Sequence, residues 1–413
     1  METDFYSTQC KGIGGRIKER IKDFKVIELN EEGKPAELWL NEDCLEKHTE
    51  LEIPENTNNN KFLWLEMQKF NLDLNEAIRR LARFNMVSKK RITFAGVKDK
   101  RGITSQTICF FLPEEKRLKE FKSKFIKLSK PEWKKEKLRI GMLKGNKFEI
   151  TVRQIELNKK ETEKRIKECF KEINKGIANF FGEQRFGGIR KVSHLVGKEF
   201  IKGNPEKAVM IYLTNTNEAE EEDIRTARKN LENSMDFEKA LKEFPLKLRY
   251  ERAIINHLNS NKEDFVGAFR VLPKSLRYMF VHAYQSYLFN KIINERIRNG
   301  IGLKEAEGDI LINGIPSAPL IGIETVFASG TPGKIEKKVF EEEKIELKQF
   351  YVKEMKEMSS KGARKEIALF PEELELNEVS EDEFSEGKLK ARISFYLPKG
   401  NYATTVLKEI MKG

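Results

Sequence analysis

The period of the hydrophobic pattern changes along this chain, and the change restricts the architectures open to it. Up to about residue 155, short runs rich in strand formers alternate with polar turns, at 24–29, 62–67, 91–97, 105–112 and 148–155. From about 205 to 300 the pattern is mostly helical, and strand character returns at 390–397 before a short helix from about Tyr402. The pattern is that of an α+β body interrupted by a largely helical insert. The expected fold class is therefore α+β: a body with a mixed or antiparallel sheet, interrupted by a largely helical α/β insert. With 413 residues the chain exceeds one ordinary core, and two domains are expected.

Local signals sharpen this outline. Asp73 can cap a helix that starts at Leu74, with Glu76 at the capping-box position and Ala77, Ile78, Leu81 and Ala82 forming its apolar stripe. A helix over about 160–177 buries Ile166, Cys169, Phe170 and Ile173. A long helix over 275–298 puts Leu276, Phe280, Ala283, Tyr284, Tyr287 and Leu288 on one face. Residues 37–40 read as a short strand, 218–223 as a solvated acidic loop or helix start, and 308–333 as loops with short strands. No internal repeat or low-complexity linker is present.

Composition narrows the function classes. Lys and Arg number 78 against 66 Asp and Glu, a net charge of +12. Such an excess suits a polyanionic partner, nucleic acid first of all, although abundant Lys and Glu also suit ion-pair networks on a heat-adapted surface. Residues 114–140 hold eleven cations against five Glu, with Phe121, Phe125 and Trp133 interleaved. That stretch suits a phosphate-tracking surface, and equally a solvated amphipathic element with a core-facing aromatic stripe. Cys10, Cys44, Cys109 and Cys169 are far apart and form no CxxC pair, so neither a disulfide nor a zinc site is expected. His48, His194, His257 and His282 sit in no metal-binding arrangement, and no metal is expected. No apolar run approaches the roughly 18–20 residues that span a bilayer. Residues 1–15 lack the layout of a signal peptide, so the cytoplasm is the expected location.

Two segments carry the residue types of a reaction centre. The first is Phe94-Ala95-Gly96-Val97-Lys98-Asp99-Lys100, the charged tip of a β–loop–β unit. Flanking cations favour the ionised form of a carboxylate, and small residues before it allow close approach of another chain. An ordinary polar turn, with the Asp satisfying backbone amides, has the same spacing. The second is Asn179-Phe180-Phe181-Gly182-Glu183-Gln184-Arg185-Phe186-Gly187, which follows a helix. Exposed aromatics can stack on a base, while amide side chains read the polar edge of a flipped one. A helix C-cap with its Phe residues in the core would look alike.

Taken in order, these segments resemble the TruD family of pseudouridine synthases, along nearly the full chain. Further matching stretches are Gly15-Arg16-Ile17-Lys18 with Asp23-Phe24-Lys25-Val26-Ile27-Glu28, Leu143-Lys144-Gly145-Asn146-Lys147-Phe148, and Ala283-Tyr284-Gln285-Ser286-Tyr287-Leu288-Phe289-Asn290. Lys361-Gly362-Ala363-Arg364-Lys365 and Leu397-Pro398-Lys399-Gly400-Asn401-Tyr402-Ala403-Thr404 complete the set. The chain departs from the family where Ile21-Lys22 replaces a usual Pro-Glu before Asp-Phe, and where a Thr near Leu74 is missing.

The resemblance implies isomerisation of a uridine to pseudouridine in tRNA, at position 13 by family habit, with Asp99 as the essential carboxylate. It implies Phe181 stacking on the target base, Asn179 beside the carboxylate, and Lys18 as the basic residue next to it. Phe24, Lys98, Gln184 and Arg185 are expected in the substrate-binding set. The reaction breaks N1–C1′, turns the base and rejoins it through C5; no atom is added, so no cofactor or metal is expected. The implied division is a catalytic domain of residues 1–204 and 362–413 around an insert at 205–361. A monomer acting on structured RNA is expected. A different class, a non-catalytic RNA-binding protein or tRNA-folding chaperone, could use the same basic surface; it would be indifferent to the loss of Asp99.

Overall fold

A computed structural model describes residues 5–38 and 51–412. Part of the expected strand at 37–40, together with Cys44 and His48, lies outside the described residues. The described residues form two compact units, one of residues 8–38, 51–176 and 370–412 and one of residues 5–7 with 177–369. The first holds the main sheet, and the second is mostly helical. The α+β expectation is met. Residues 177–204 fold with the helical unit, because Ile177–Ala178 pairs antiparallel with Ala368–Leu369.

The sheet unit is built on β1 (Phe24–Leu29), β2 (Phe62–Phe70), β3 (Ile92–Phe94), β4 (Ile103–Phe111), β5 (Ile126–Lys134) and β6 (Gly145–Ile155). The last two strands of the chain, Glu372–Glu381 and Leu389–Pro398, complete an eight-stranded sheet. Leu389–Pro398 pairs with β6, then come β1, β4, β2 and β5 in turn, while β3 pairs with β4. The pair β1–β4 is parallel and its neighbours are antiparallel, so the sheet is mixed. β5 forms one edge and carries Lys127, Lys130 and Lys134, charges of the kind that discourage edge-to-edge pairing. Of the aromatics near this edge, Phe121 and Trp133 pack against the core, while Phe125 is exposed beside Arg80.

Helix α1 (Leu74–Phe84) begins where expected. The Asp73 carboxylate accepts from the backbone N–H of Asn75 and Glu76. Glu76 does not close a capping box; its carboxylate turns to Arg79 and Arg80 instead. The stripe Leu74, Ala77, Ile78, Leu81 and Ala82 is buried against β2 and β4 residues such as Leu65, Met67 and Phe110. One expectation is overturned. Cys10 and Cys169 form a disulfide, with Cα atoms 5.2 Å apart. Cys169 lies on the buried face of the helix Lys159–Ile173, and the N-terminal segment runs past it. A separation of 159 residues left no local signal of the pairing.

In the helical unit, the long helix Lys274–Arg298 buries Phe280, Ala283, Tyr284 and Leu288 as expected, with Leu276 and Tyr287 at the margin. Its core also takes Val196, Phe200, Phe269 and Phe289. A three-stranded sheet of Leu311–Ile312, Ile315–Leu320 and Ala363–Glu366 lies in the same unit. The acidic stretch is solvated except at Glu220, which pairs with Arg228 at 3.2 Å in a buried network shared with Glu251. Among the described residues no helix is long and apolar enough to cross a membrane.

Candidate active site

Asp99 sits where β3 turns into β4, on the loop of residues 95–102. Its side chain is one-third exposed, and the Lys18 ammonium meets its Oδ1 at 2.8 Å. Lys18 has φ +61°, a region that non-glycine residues enter at a cost and that clusters at functional positions. The same ammonium lies 4.0 Å from the ring centroid of Phe24. Phe24 is buried against Phe148, so the cation rests on a fixed aromatic face. Gly102 lets the loop pass tightly here: at φ +153° a Cβ would stand 2.4 Å from the Phe24 carbonyl oxygen.

The lysine on the N-terminal side of Asp99 faces inward. The Lys98 side chain is 3% exposed, with its ammonium 2.6 Å from Glu28 Oε2. Glu28 in turn accepts from the Thr107 backbone N–H through Oε1. Lys98 thus ties the loop to β1 and β4, and Lys18 alone of the expected pair of lysines touches the carboxylate.

Lys69 was not anticipated. It is fully buried at the end of β2, and its ammonium donates to the backbone carbonyl of Asp99. A signal was present in the sequence: residues 63, 65, 67 and 69 share one face of a strand, so the pattern places a lysine in phase with Leu63, Leu65 and Met67. Burial pushes the Lys69 amine down to about 8, against the attraction of Asp99 and Asp73. Below that pH the buried charge penalises the fold. The penalty is relieved as pH rises from about 8 towards the ordinary 10.5, so stability gains over that window. The contact with Asp99 weakens as the native amine loses its proton around pH 8. A pH profile of wild-type turnover is therefore expected to fall along a limb centred near pH 8. Lys69→Met is expected to lose that limb and to turn over about tenfold more slowly at pH 7, one hydrogen bond's worth of positioning. An unchanged profile in the variant would rule this role out.

A second cluster lies in the helical unit. Asn179 is buried; its backbone N–H donates to Ile367 O and its Nδ2 to Glu366 O, while its Oδ1 has no hydrogen-bond partner among the described residues. An orphaned buried acceptor is costly unless something else satisfies it. Phe181 is clamped by Asn290, which accepts from its N–H and donates to its carbonyl, both at 2.9 Å. Phe180 and Phe181 are both buried, contrary to the exposed platform expected, because the segment runs through the core of this unit. The Phe181 ring is flanked by the Arg185 guanidinium and the Lys365 ammonium, each 5.5 Å from its centroid. Burial lowers the Lys365 amine to about 8. Arg185 donates to Ser286 Oγ, and Gln184 is exposed on the 3₁₀ turn Glu183–Phe186. Asn290 and Lys365 were seen in the sequence only as parts of matching stretches, with no role attached.

The expected residues thus fall into two groups: Lys18, Phe24, Lys98 and Asp99 in the sheet unit, and Asn179, Phe181 and Arg185, with Gln184 at the surface, in the helical unit. Among the described residues no group of three or more His, Cys, Asp or Glu is placed to hold a metal ion.

Comparison with known proteins fits both groups into one family. The sequence profile of tRNA pseudouridine synthase D (TruD) matches residues 1–315 and 312–410. A Methanosarcina acetivorans protein named probable tRNA pseudouridine synthase D is 40% identical, over 99% of this chain and 95% of its own. A Thermococcus sibiricus protein of the same name is 33% identical, over 98% and 97%. The crystal structure of a Methanosarcina mazei protein described as a putative tRNA pseudouridine synthase D, 39% identical, aligns with a TM-score of 0.77 over 99% of this chain and 96% of that one. A profile match over the whole length, relatives of this identity and a shared fold lead to one conclusion: the chain belongs to the tRNA pseudouridine synthase D family.

Proposed function

We propose that this protein isomerises a uridine of tRNA to pseudouridine, at position 13, through Asp99. The observation that carries the reading is the Asp99 carboxylate: it is open to solvent on one side, paired with Lys18, and mounted on a loop that Lys69 and Lys98 anchor from within. A carboxylate held this way can act on a nucleotide without first reorganising its own support. Three routes fit it: attack on C1′, attack on the base, or removal of a ribose proton. In each, the N1–C1′ bond breaks, the uracil turns, C5 bonds to C1′, the C5 hydrogen leaves as a proton, and N1 gains one from water. The reactant and product have the same atoms, so the chemistry calls for no ATP, redox group or metal.

The target base must leave its stack, at a cost of a few kcal/mol. In this reading Asn179 and Phe181, both buried in the helical unit, belong to the substrate set because the family resemblance implies it. Phe24 supports Lys18, while Gln184 and Arg185 complete the substrate set. By role rather than by packing, residues 1–204 and 362–413 supply the catalytic residues, 177–204 doing so from the helical unit, and the insert at 205–361 adds phosphate contacts that offset base flipping. The protein acts as a cytoplasmic monomer on structured RNA. The test uses tRNA transcripts tritiated at uridine C5, since that hydrogen is lost only when C5 becomes the glycosidic carbon. One tritium released per tRNA is expected. Binding without release would favour a non-catalytic RNA chaperone.

A further inference from the structure

A groove of about 500 Å³ opens in the sheet unit beside the Asp99 loop, lined by Glu19, Arg20, Lys22, Asn71, Arg101 and Phe384 among others. Two of its lining residues adjoin the Asp99 site along the chain. Glu19 follows Lys18, whose ammonium sits on Asp99, and Arg101 lies two residues beyond Asp99. The walls are tied together: Arg101 Nη2 donates to the Glu19 carbonyl at 3.3 Å, and the Asn71 N–H donates to Gly102 O at 3.0 Å. Three cations, Arg20, Lys22 and Arg101, face one carboxylate, Glu19, so the groove suits an anionic ligand.

Its aromatic component is unusual. Phe384 is half exposed at the turn between the last two strands, where a large apolar side chain gains little from its position. The turn is nevertheless fixed. Arg153 is held by Asp23 at 2.9 Å and by Asp382 at 2.7 Å, it also pairs with Glu383, and its guanidinium lies 5.0 Å from the Phe384 centroid. The Arg20 guanidinium stacks on the same ring at 4.0 Å. A guanidinium on an aromatic ring, mounted rigidly and open to solvent, is a platform on which a nucleobase can stack, with cations around it for the phosphate. No contact of the Asp99 site uses this platform.

We propose that this groove seats the nucleotide adjacent to the target uridine: its base on the Arg20–Phe384 platform and its phosphate on Lys22 and Arg101. The inference rests on the proposed function, and it makes the groove a subsite for the RNA strand on one side of the isomerised residue. The neighbour enters unstacked, because the target has left the helix, so stacking here replaces part of what flipping costs.

The experiment compares wild type, Phe384→Ala, Phe384→Trp and Arg101→Gln on tRNA transcripts that are intact or abasic at the nucleotide before or after the target. Affinity is read by fluorescence anisotropy and turnover by tritium release. Phe384→Ala is expected to weaken binding roughly 5- to 150-fold, the range for loss of one stacked base, with saturating turnover within a factor of two. One of the abasic transcripts should bind wild type as weakly, and Phe384→Ala should show no further loss on it. Phe384→Trp should restore the affinity, and Arg101→Gln should reduce the salt slope of binding by about one. Equal abasic penalties in wild type and Phe384→Ala at both positions would overturn the subsite, as would unaltered binding by Phe384→Ala. If wild type binds but releases no tritium, the isomerase reading fails, while the anisotropy series still decides the groove.

Discussion

Reduction of the Cys10–Cys169 disulfide is expected to lower the unfolding free energy of the sheet unit by up to about 5 kcal/mol, the chain-entropy value for a closed loop of this length. The bridge joins the N-terminal segment to the helix Lys159–Ile173, so it closes most of the sheet unit into one loop of 159 residues. Residual order in the unfolded chain makes that figure an upper limit. In a unit of this size the loss corresponds to a fall in Tm of roughly 10–20 °C. Thermal melts with and without a phosphine reductant measure it directly. Cys10→Ser should melt at the reduced wild-type temperature and be insensitive to reductant. Identical melts of oxidised and reduced wild type would remove the disulfide from the account of stability.

Asp99→Asn is expected to lower the rate of pseudouridine formation at least about 10³-fold, which is ~4 kcal/mol of barrier, while tRNA binding stays within a few-fold. The amide keeps the shape of the carboxylate but can neither attack carbon nor accept a proton as a base. It also leaves the Lys18 ammonium without its charge partner. That cation remains available to an RNA phosphate, which is why affinity should not fall. Single-turnover kinetics separate the two effects, because uniform binding and transition-state stabilisation enter different constants. A variant that retained a tenth of the wild-type rate would place the essential group elsewhere.

Much of the fold could be read from local chemistry. Asp73 ahead of an apolar stripe located α1, and the 3.6-residue repeat located the long helix almost to the residue. The loop carrying Asp99 was legible as a charged tip between two strands. Long-range pairings were not. The disulfide joins residues 159 apart, and residues 177–204 fold with the helical unit through a two-residue pairing with Ala368–Leu369. Neither leaves a periodic trace. Inside the candidate site, residue types were visible but directions were not. Lys98 turns inward because Glu28, 70 residues earlier, is buried beside it, and Phe181 is covered because Asn290 clamps its backbone. Lys69 differs: its phase along β2 carried the signal of a buried amine, but the strand read from the sequence stopped at Met67.

Mapping the modified nucleotide decides whether Asp99 makes pseudouridine at one position of tRNA. A tRNA transcript incubated with wild type or with Asp99→Asn is treated with a carbodiimide, which leaves a stable adduct on pseudouridine, and then copied by reverse transcriptase. One new stop at position 13 is expected with wild type, no stop with Asp99→Asn, and none with a transcript carrying cytidine at that position. No stop with a wild-type protein that binds the tRNA would contradict it, and so would an undiminished stop with Asp99→Asn.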